Sequence, residues 1–203
     1  MNGLKQNKKY MKKIILASTS PRRKELFARL MLPFTIEAPD YEEDMTLKMP
    51  PTKLVKLLSY GKAESVAKKH KSGIVIGADT FVVFNNHLLG KPKSKREAKE
   101  MLQKLSGKRV DVLTGLTIID IAASKKVSFT DTTKVYIRKL TEQEIDNYIK
   151  SGEPMDKAGA FAIQGLGAVI IKKIEGDFLG SMGLPLFVLA KALKKTRNCC
   201  FIN

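Results

Sequence analysis

The chain has 203 residues, 43% of them hydrophobic, with 37 Lys and Arg against 20 Asp and Glu, a net charge of +17. That size suits one compact domain, or one domain with a small lobe, and no apolar run approaches the roughly 18–20 residues that cross a bilayer. The charge attracts polyanions, but the lysines are spread along the chain, and 5 Tyr, 9 Phe and no Trp give no aromatic–basic interleaving of the kind that stacks bases, so no specific nucleic-acid footprint is expected.

Residues 1–12 are basic and read as a flexible extension, with Met11 a second candidate start. The apolar stretch behind them, Ile14 to Ala17, is shorter than the roughly 7–15 residues of a signal-peptide core, so the expected location is the cytoplasm, with no membrane contact. Residues 13–17 read as a short buried strand. Ser20 can cap a helix with Pro21 in its first turn, carrying Leu26 and Leu30 on one face and stopping before Pro33. Residues 34–38 suggest a second short strand. Residues 39–51 form an acidic, proline-bounded loop containing Asp40, Glu42, Glu43 and Asp44. Thr52 starts a helix with Leu54, Leu57, Leu58 and Val66 apolar, ending near His70.

Residues 74–76 are an apolar run feeding Gly77-Ala78-Asp79-Thr80, which continues as strand over 81–84 to a hairpin turn at Asn85-Asn86. Ser94 to Glu97 reads as a capping box, with Ala98, Met101, Leu102 and Leu105 as the buried stripe and Gly107 as the stop. Residues 110–121 and 126–137 read as long strands, the second alternating through Val127, Phe129, Asp131, Thr133, Val135 and Ile137. Thr141-x-x-Glu144 opens a capped helix that Gly152 ends. A glycine-rich loop follows, then an apolar run over 168–174 that reads as a strand, then a helix from Pro185 through Leu193. Cys199 and Cys200, in a tail over 196–203, lack metal-ligand spacing and are expected to be reduced thiols. Strands mixed with helices predict an α/β or α+β fold on a mixed sheet.

The chemistry concentrates in a few stretches. Ser18-Thr19-Ser20-Pro21-Arg22-Arg23 places hydroxyls, a free helix N-terminus and two arginines at a strand-to-helix turn. The helix dipole disfavours those arginines by only about 0.3–1 kcal/mol. A charge-assisted hydrogen bond to phosphate contributes roughly 1.5–3 kcal/mol, so a bound phosphate reverses the balance. Asp79 and Thr80 follow a buried strand, a place where a carboxylate suits Mg²⁺, and the acidic loop can supply a second ligand. Lys91 sits in a Gly-Lys-Pro turn. Lys157 precedes Gly159, Gly165 and Gly167, and the amide of Gln164 carries both donor and acceptor, as reading a base edge requires. No P-loop or GxGxxG fingerprint occurs. There is no catalytic Cys–His or Ser–His pair, and His70 and His87 are expected to be exposed and without a metal-like partner. One strand-end carboxylate among several cations points to phosphate chemistry.

STSPRR, GADT, GKP, the LSG of 105–107, Thr114-Gly115, DKAGA and IQG occur in the order found in the Maf-like nucleoside triphosphate pyrophosphatases. Over 13–195 the chain resembles that family as a single domain. The resemblance implies an α/β fold: a central mixed, curved sheet flanked by helices, in two lobes with a cleft, often as a homodimer. It implies hydrolysis of a nucleoside triphosphate to the monophosphate and pyrophosphate with a divalent cation, Mg²⁺ or Mn²⁺. Carried over by position, Asp79 is the catalytic acid residue and, with Glu42, a metal ligand. Ser18, Ser20, Arg22, Arg23, Lys62, Thr80, Lys91, Lys157 and Gln164 are substrate-binding, Gln164 on the base side. SPRR, ADT and IQG resemble the dTTP/UTP subgroup rather than 7-methyl-GTP members, which carry Trp after the proline and SDQ in place of ADT. Departures from the subgroup lie at Phe161-Ala162 and in GDFLGSMGLP. Two rival expectations stand beside it: the same chemistry on another nucleotide, 7-methyl-GTP or a modified pyrimidine, and a nucleotide- or nucleic-acid-binding regulator of septum formation without catalysis, which has no use for Asp79.

Overall fold

A computed structural model describes residues 12–44 and 47–197; Cys199, Cys200 and most of the expected N-terminal extension lie outside the described residues. In chain order the elements are β1 (Ile14–Ala17), α1 (Pro21–Ala28), β2 (Thr35–Glu37), α2 (Pro51–Ala67), β3 (Ile74–Phe84), β4 (His87–Leu89), α3 (Lys95–Leu105), β5 (Arg109–Asp120), β6 (Lys125–Ile137) and α4 (Glu142–Lys150). Three 3-10 turns (Glu153–Asp156, Ala158–Ala160, Gly165–Ile170) lead to β7 (Ile171–Glu175), α5 (Phe178–Ser181) and α6 (Leu186–Arg197). The strands form one mixed, curved, open sheet in the order β2-β1-β3-β5-β6-β7, with β4 beside the end of β3. β1 runs parallel to β2 and β3, and every other pair is antiparallel.

β3 is the strand that positions the site. Its side chains alternate faces, as a period of two requires. Val75, Gly77, Asp79, Phe81 and Val83 belong to the face that α2 covers, where two apolar clusters join Leu54, Val55 and Leu58 to Phe81 and Val83, and Ala63 and Val66 to Val75. The opposite face carries two separate cores along the same strand. Ile74, Ile76 and Ala78 pack with α1 and α6 through Leu26, Phe27, Leu189 and Leu193. Val82 packs with α3 and α4 through Leu102, Leu105, Ile145 and Ile149. These two cores are the two lobes, and Thr80 falls between them.

One edge of β3 is uncovered at the same place. β1 ends with Ala17 opposite Gly77, and the antiparallel β4 reaches back along that edge only as far as its last residue, Leu89, opposite Val82. The chain leaves β1 at Ser18 and turns into α1 just where Ala78, Asp79, Thr80 and Phe81 have no strand on that side. A parallel strand that ends and hands its edge to a helix N-terminus makes a crevice, the position where open α/β sheets bind ligands.

Some elements depart from the sequence pattern. The apolar residues over 168–170 form a 3-10 turn, and the strand starts only at Ile171. A Cβ at Gly167 would stand 2.3 Å from the Ala162 carbonyl oxygen, so this turn packs backbone against backbone in a way a strand cannot. Along β6, Val135 and Ile137 are buried but Val127 and Phe129 are exposed, because the cores cover only the later half of that face. Ser94 accepts from the Glu97 amide, but the Glu97 carboxylate accepts from Lys93 rather than closing a reciprocal box. Thr141 and Glu144 close theirs fully.

Candidate active site

The turn after β1 builds the first wall. Ser20 caps α1 by accepting from the Arg23 amide, and the Ser18 hydroxyl accepts from the Ser20 amide at 3.2 Å. Those bonds turn α1 so that its two arginines part. Arg22 lines the cleft. Arg23 points inward, donating from Nε to the Gly183 carbonyl at 3.0 Å, from Nη2 to the Thr80 hydroxyl at 3.2 Å and from Nη1 to the Ser18 hydroxyl at 3.5 Å. Its Nη2 lies 3.9 Å from Asp79 Oδ1. Burial holds the Arg23 guanidinium below its usual pKa, and the charge of Asp79 works against that shift.

α2 builds the second wall. Lys62, almost wholly buried, donates from Nζ to Asp79 Oδ1 at 2.8 Å and meets Glu43 Oε1 at 2.7 Å. One ammonium therefore joins two carboxylates. Asp79 is 7% exposed and lies behind the cleft lining, reached through Lys62 and Arg23. Its other oxygen, Oδ2, is buried with no hydrogen-bond partner among the described residues. A buried carboxylate oxygen left unpaired costs free energy unless something donates to it or coordinates it.

The third wall is the segment after α4. Glu153 is its clamp: its carboxylate accepts from the amides of Leu166 and Gly167 at 3.0 and 2.7 Å and from the Tyr148 hydroxyl at 2.8 Å. Tyr148 in turn accepts from the Ala162 amide at 3.0 Å, and burial raises the pKa of its phenol. Gly165, at φ +76, permits the approach, since a Cβ there would lie 2.2 Å from Glu153 Oε1. The clamp fixes both ends of the loop that carries Gln164, whose amide makes no hydrogen bond among the described residues. Lys157 pairs with Asp156, whose carboxyl that bond holds below its ordinary pKa. The Gly159 amide donates to the Gly90 carbonyl, tying this wall to the turn that presents Lys91.

The walls enclose a cleft of about 880 Å³, lined by Ser18, Ser20, Arg22, Arg23, Lys62, Lys91, Lys157 and Gln164 among others. Thr80 lines a smaller side chamber that shares the two arginines, Lys91, Lys157 and Gln164. All the substrate-side residues expected from the sequence thus meet in one place. Glu42 does not. It is exposed and outside the lining, and the neighbouring Glu43 holds Lys62 instead. The cause is Tyr41, whose ring lies on Gly61 of α2, where a Cβ would come within 2.2 Å of it. That contact docks the loop and directs Glu43 inward. Burial and the nearby Glu43 raise the pKa of the Tyr41 phenol. His70 also differs from expectation: half-buried, it pairs with Glu37 at 2.7 Å, remote from the cleft lining, whereas His87 is exposed. Glu153 and Asp156 escaped the sequence reading, although both belong to the segment that carries Lys157.

The residues present suit a divalent cation of the Mg²⁺ kind, which takes one or two protein carboxylates and completes its shell with waters and phosphate oxygens. Asp79 Oδ2 is the unpaired atom such an ion would use, and Glu43 is the second carboxylate at hand. No cluster of three or more His, Cys, Asp or Glu exists among the described residues, so the protein alone does not form a full cage. No helix there is long and apolar enough to cross a membrane.

The family model described as Maf-like protein matches residues 13–196. The chain is 51% identical over 186 residues to a dTTP/UTP pyrophosphatase of Methanosarcina barkeri, covering 91% of this chain and 94% of that one. It is 47% identical, over the same shares, to a dTTP/UTP pyrophosphatase of Methanosarcina mazei. A Bacillus cereus protein of that name is 46% identical over 91% of this chain and 96% of its own. Among solved structures, the Staphylococcus aureus Ham1 protein aligns with a TM-score of 0.44 and 19% identity, over 62% of this chain and 72% of that one, a likeness too loose to argue from.

Proposed function

The chain belongs to the Maf-like protein family, and on that premise we propose that it hydrolyses dTTP and UTP to the monophosphate and pyrophosphate. The observation that carries the reading is a buried carboxylate, Asp79, with one orphaned oxygen, set behind a cleft lined by Arg22, Arg23, Lys62, Lys91 and Lys157. A pure nucleotide binder gains nothing from that carboxylate, which repels the phosphates its cations attract. Water attacks the α-phosphorus, the α–β anhydride bond breaks, and pyrophosphate leaves with the bond's electron pair. Ser18, Ser20, Arg22 and Arg23 hold the phosphates at the helix N-terminus. Lys62, Lys91 and Lys157 stabilise the charge that develops on the leaving group. Asp79 orients the attacking water and takes its proton.

An unperturbed Asp has a pKa near 3.9 and bulk water one near 15.7, so Asp79 alone is a weak base for water. Mg²⁺ or Mn²⁺, held by Asp79 and Glu43, would acidify a bound water and neutralise phosphate charge. Glu43→Gln is expected to raise the Mn²⁺ concentration for half-maximal activity roughly tenfold, as loss of one charged ligand does, while Glu42→Gln leaves it within about twofold. A metal titration of both variants checks this, and equal responses would refute the choice between them.

Gln164 faces the base in this reading. The test is pyrophosphate release from dTTP, UTP, CTP, dATP, GTP and 7-methyl-GTP, with Mg²⁺, Mn²⁺ or EDTA. Metal-dependent release strongest with dTTP or UTP is expected. Preference for 7-methyl-GTP would keep the chemistry and overturn the base assignment. No release from folded protein would favour a binding role in division. Gln164→Ala should compress the ranking among bases by about tenfold with a smaller loss on the best substrate, since removing a base-edge contact costs about 1–3 kcal/mol of discrimination. The same reading includes a cytoplasmic setting and a homodimer, the latter checked by sedimentation.

A further inference from the structure

Thr114 of β5 has no part in the chemistry above, yet it is a buried polar side chain, 1% exposed, tied to the arginine that does. Its hydroxyl lies 2.8 Å from the Gly180 carbonyl oxygen and 3.0 Å from the Thr80 hydroxyl. Thr80 lies 3.2 Å from Arg23 Nη2, and Arg23 Nε lies 3.0 Å from the Gly183 carbonyl oxygen.

The direction of each bond is forced. A carbonyl oxygen only accepts, so Thr114 gives its one proton to Gly180. Toward Thr80 it can then only accept. Thr80 therefore gives its own proton to Thr114 and turns lone pairs toward Arg23, which has donors and no acceptor. The guanidinium is held at two points by one short segment: directly at Gly183, and through two hydroxyls at Gly180. No other orientation of the two protons pairs all four groups. A free Thr80 hydroxyl could aim its proton at the guanidinium and repel it.

We propose that Thr114 is the positioning residue for Arg23, fixing through Thr80 the direction in which the guanidinium meets substrate phosphate. The proposal rests on the reading of Arg23 as a triphosphate-binding cation. A Thr that merely filled space beside Gly180 would matter for stability and not for anion binding.

The probe is inorganic tripolyphosphate, titrated calorimetrically, which needs no turnover. Thr114→Val keeps the shape and removes the hydroxyl. It is expected to weaken tripolyphosphate binding roughly tenfold, the loss of about one charge-assisted hydrogen bond, and Thr114→Ser should return it to within about twofold of wild type. In an Arg23→Lys background, which lacks the planar fork, Thr114→Val should change affinity less than about twofold, because coupled residues are not additive. Should Thr114→Val fail to fold, Thr114→Cys, a weaker donor, stands in with the same two expectations. Unchanged affinity in the single variant overturns the proposal, whatever happens to Tm. So does an equal loss in both backgrounds, or failure of the wild type to bind tripolyphosphate. If these affinities behave as expected while no nucleotide is hydrolysed, the positioning role stands and the hydrolase reading falls.

Discussion

Asp79→Asn is expected to lower the turnover of dTTP or UTP roughly 10³-fold or more, the scale of a lost general base, while the protein stays folded. Asparagine has nearly the same shape, and its carbonyl can still accept from Lys62, which now donates to Asp79 Oδ1 at 2.8 Å. What disappears is a negative charge and a proton acceptor. Stranding a buried charge by removing its partner usually costs about 3–5 kcal/mol. Here the cost is smaller, because Lys62 keeps Glu43 at 2.7 Å and Arg23 keeps Gly183, Thr80 and Ser18. Anion binding should be retained or tightened, since the cleft loses a carboxylate that opposes phosphate. The measurement is paired: pyrophosphate release, and tripolyphosphate affinity by calorimetry, with circular dichroism confirming the fold. Lost turnover with intact affinity places Asp79 in the chemical step. Turnover near that of the wild type would remove it from the chemistry and leave it a strut beneath two cations.

Much of this arrangement is legible in the sequence because it follows regular periods. The alternation of β3 puts Asp79 and Thr80 on opposite faces, and the capping signals at Ser20 and Thr141 mark helix starts that the fold adopts. Ser18, Ser20, Arg22 and Arg23 fall at the end of β1 and the start of α1, as expected, whereas Asp79 and Thr80 lie in the middle of a continuous β3 rather than at a strand end, Lys62 lies within α2, and Lys91, Lys157 and Gln164 lie in loops. What stays illegible lies where no period operates. In the acidic loop, an offset of one residue separates Glu42 from Glu43, and only the seat of the Tyr41 ring on Gly61 decides between them. The run Ala168, Val169, Ile170 has strand-like composition, but the close approach at Gly167 folds it into a 3-10 turn. Glu153 is an ordinary acidic residue in sequence; its role depends on amides 13 and 14 positions away. Thr114 stands in a motif legible in the sequence, but its hydrogen-bond role depends on Gly180, 66 residues on.

Gly77→Ala tests whether the approach of α2 to the sheet sets the Lys62–Asp79 contact. A Cβ at Gly77 would stand 2.4 Å from the Ser59 carbonyl oxygen, 2.7 Å from the Ala63 amide nitrogen and 2.8 Å from the Ala63 Cβ. Backbone cannot rotate aside as a side-chain tip can. β3 cannot yield either, because Gly77 is paired with Ala17 on one side and Thr117 on the other. The helix must lift. Overpacking costs about 1–3 kcal/mol and occasionally more, and each kcal/mol lowers Tm by roughly 2–4 °C in a chain of this size, so a fall of about 6–12 °C is expected at the upper end. Gly90→Ala is the control, since a Cβ there meets nothing within 4 Å. Its Tm should stay within roughly 2 °C of wild type, as substitutions in open space do. Lys62 precedes Ala63 on the displaced helix, so its ammonium should withdraw from Asp79. Turnover measured well below the melting transition should therefore fall about tenfold or more, since roughly 1 Å of misplacement at a reacting group can cost 10²-fold. A lower Tm with full turnover would mean that α2 yields without moving Lys62, and that Glu43 and Asp79 hold the ammonium independently of the helix that bears it.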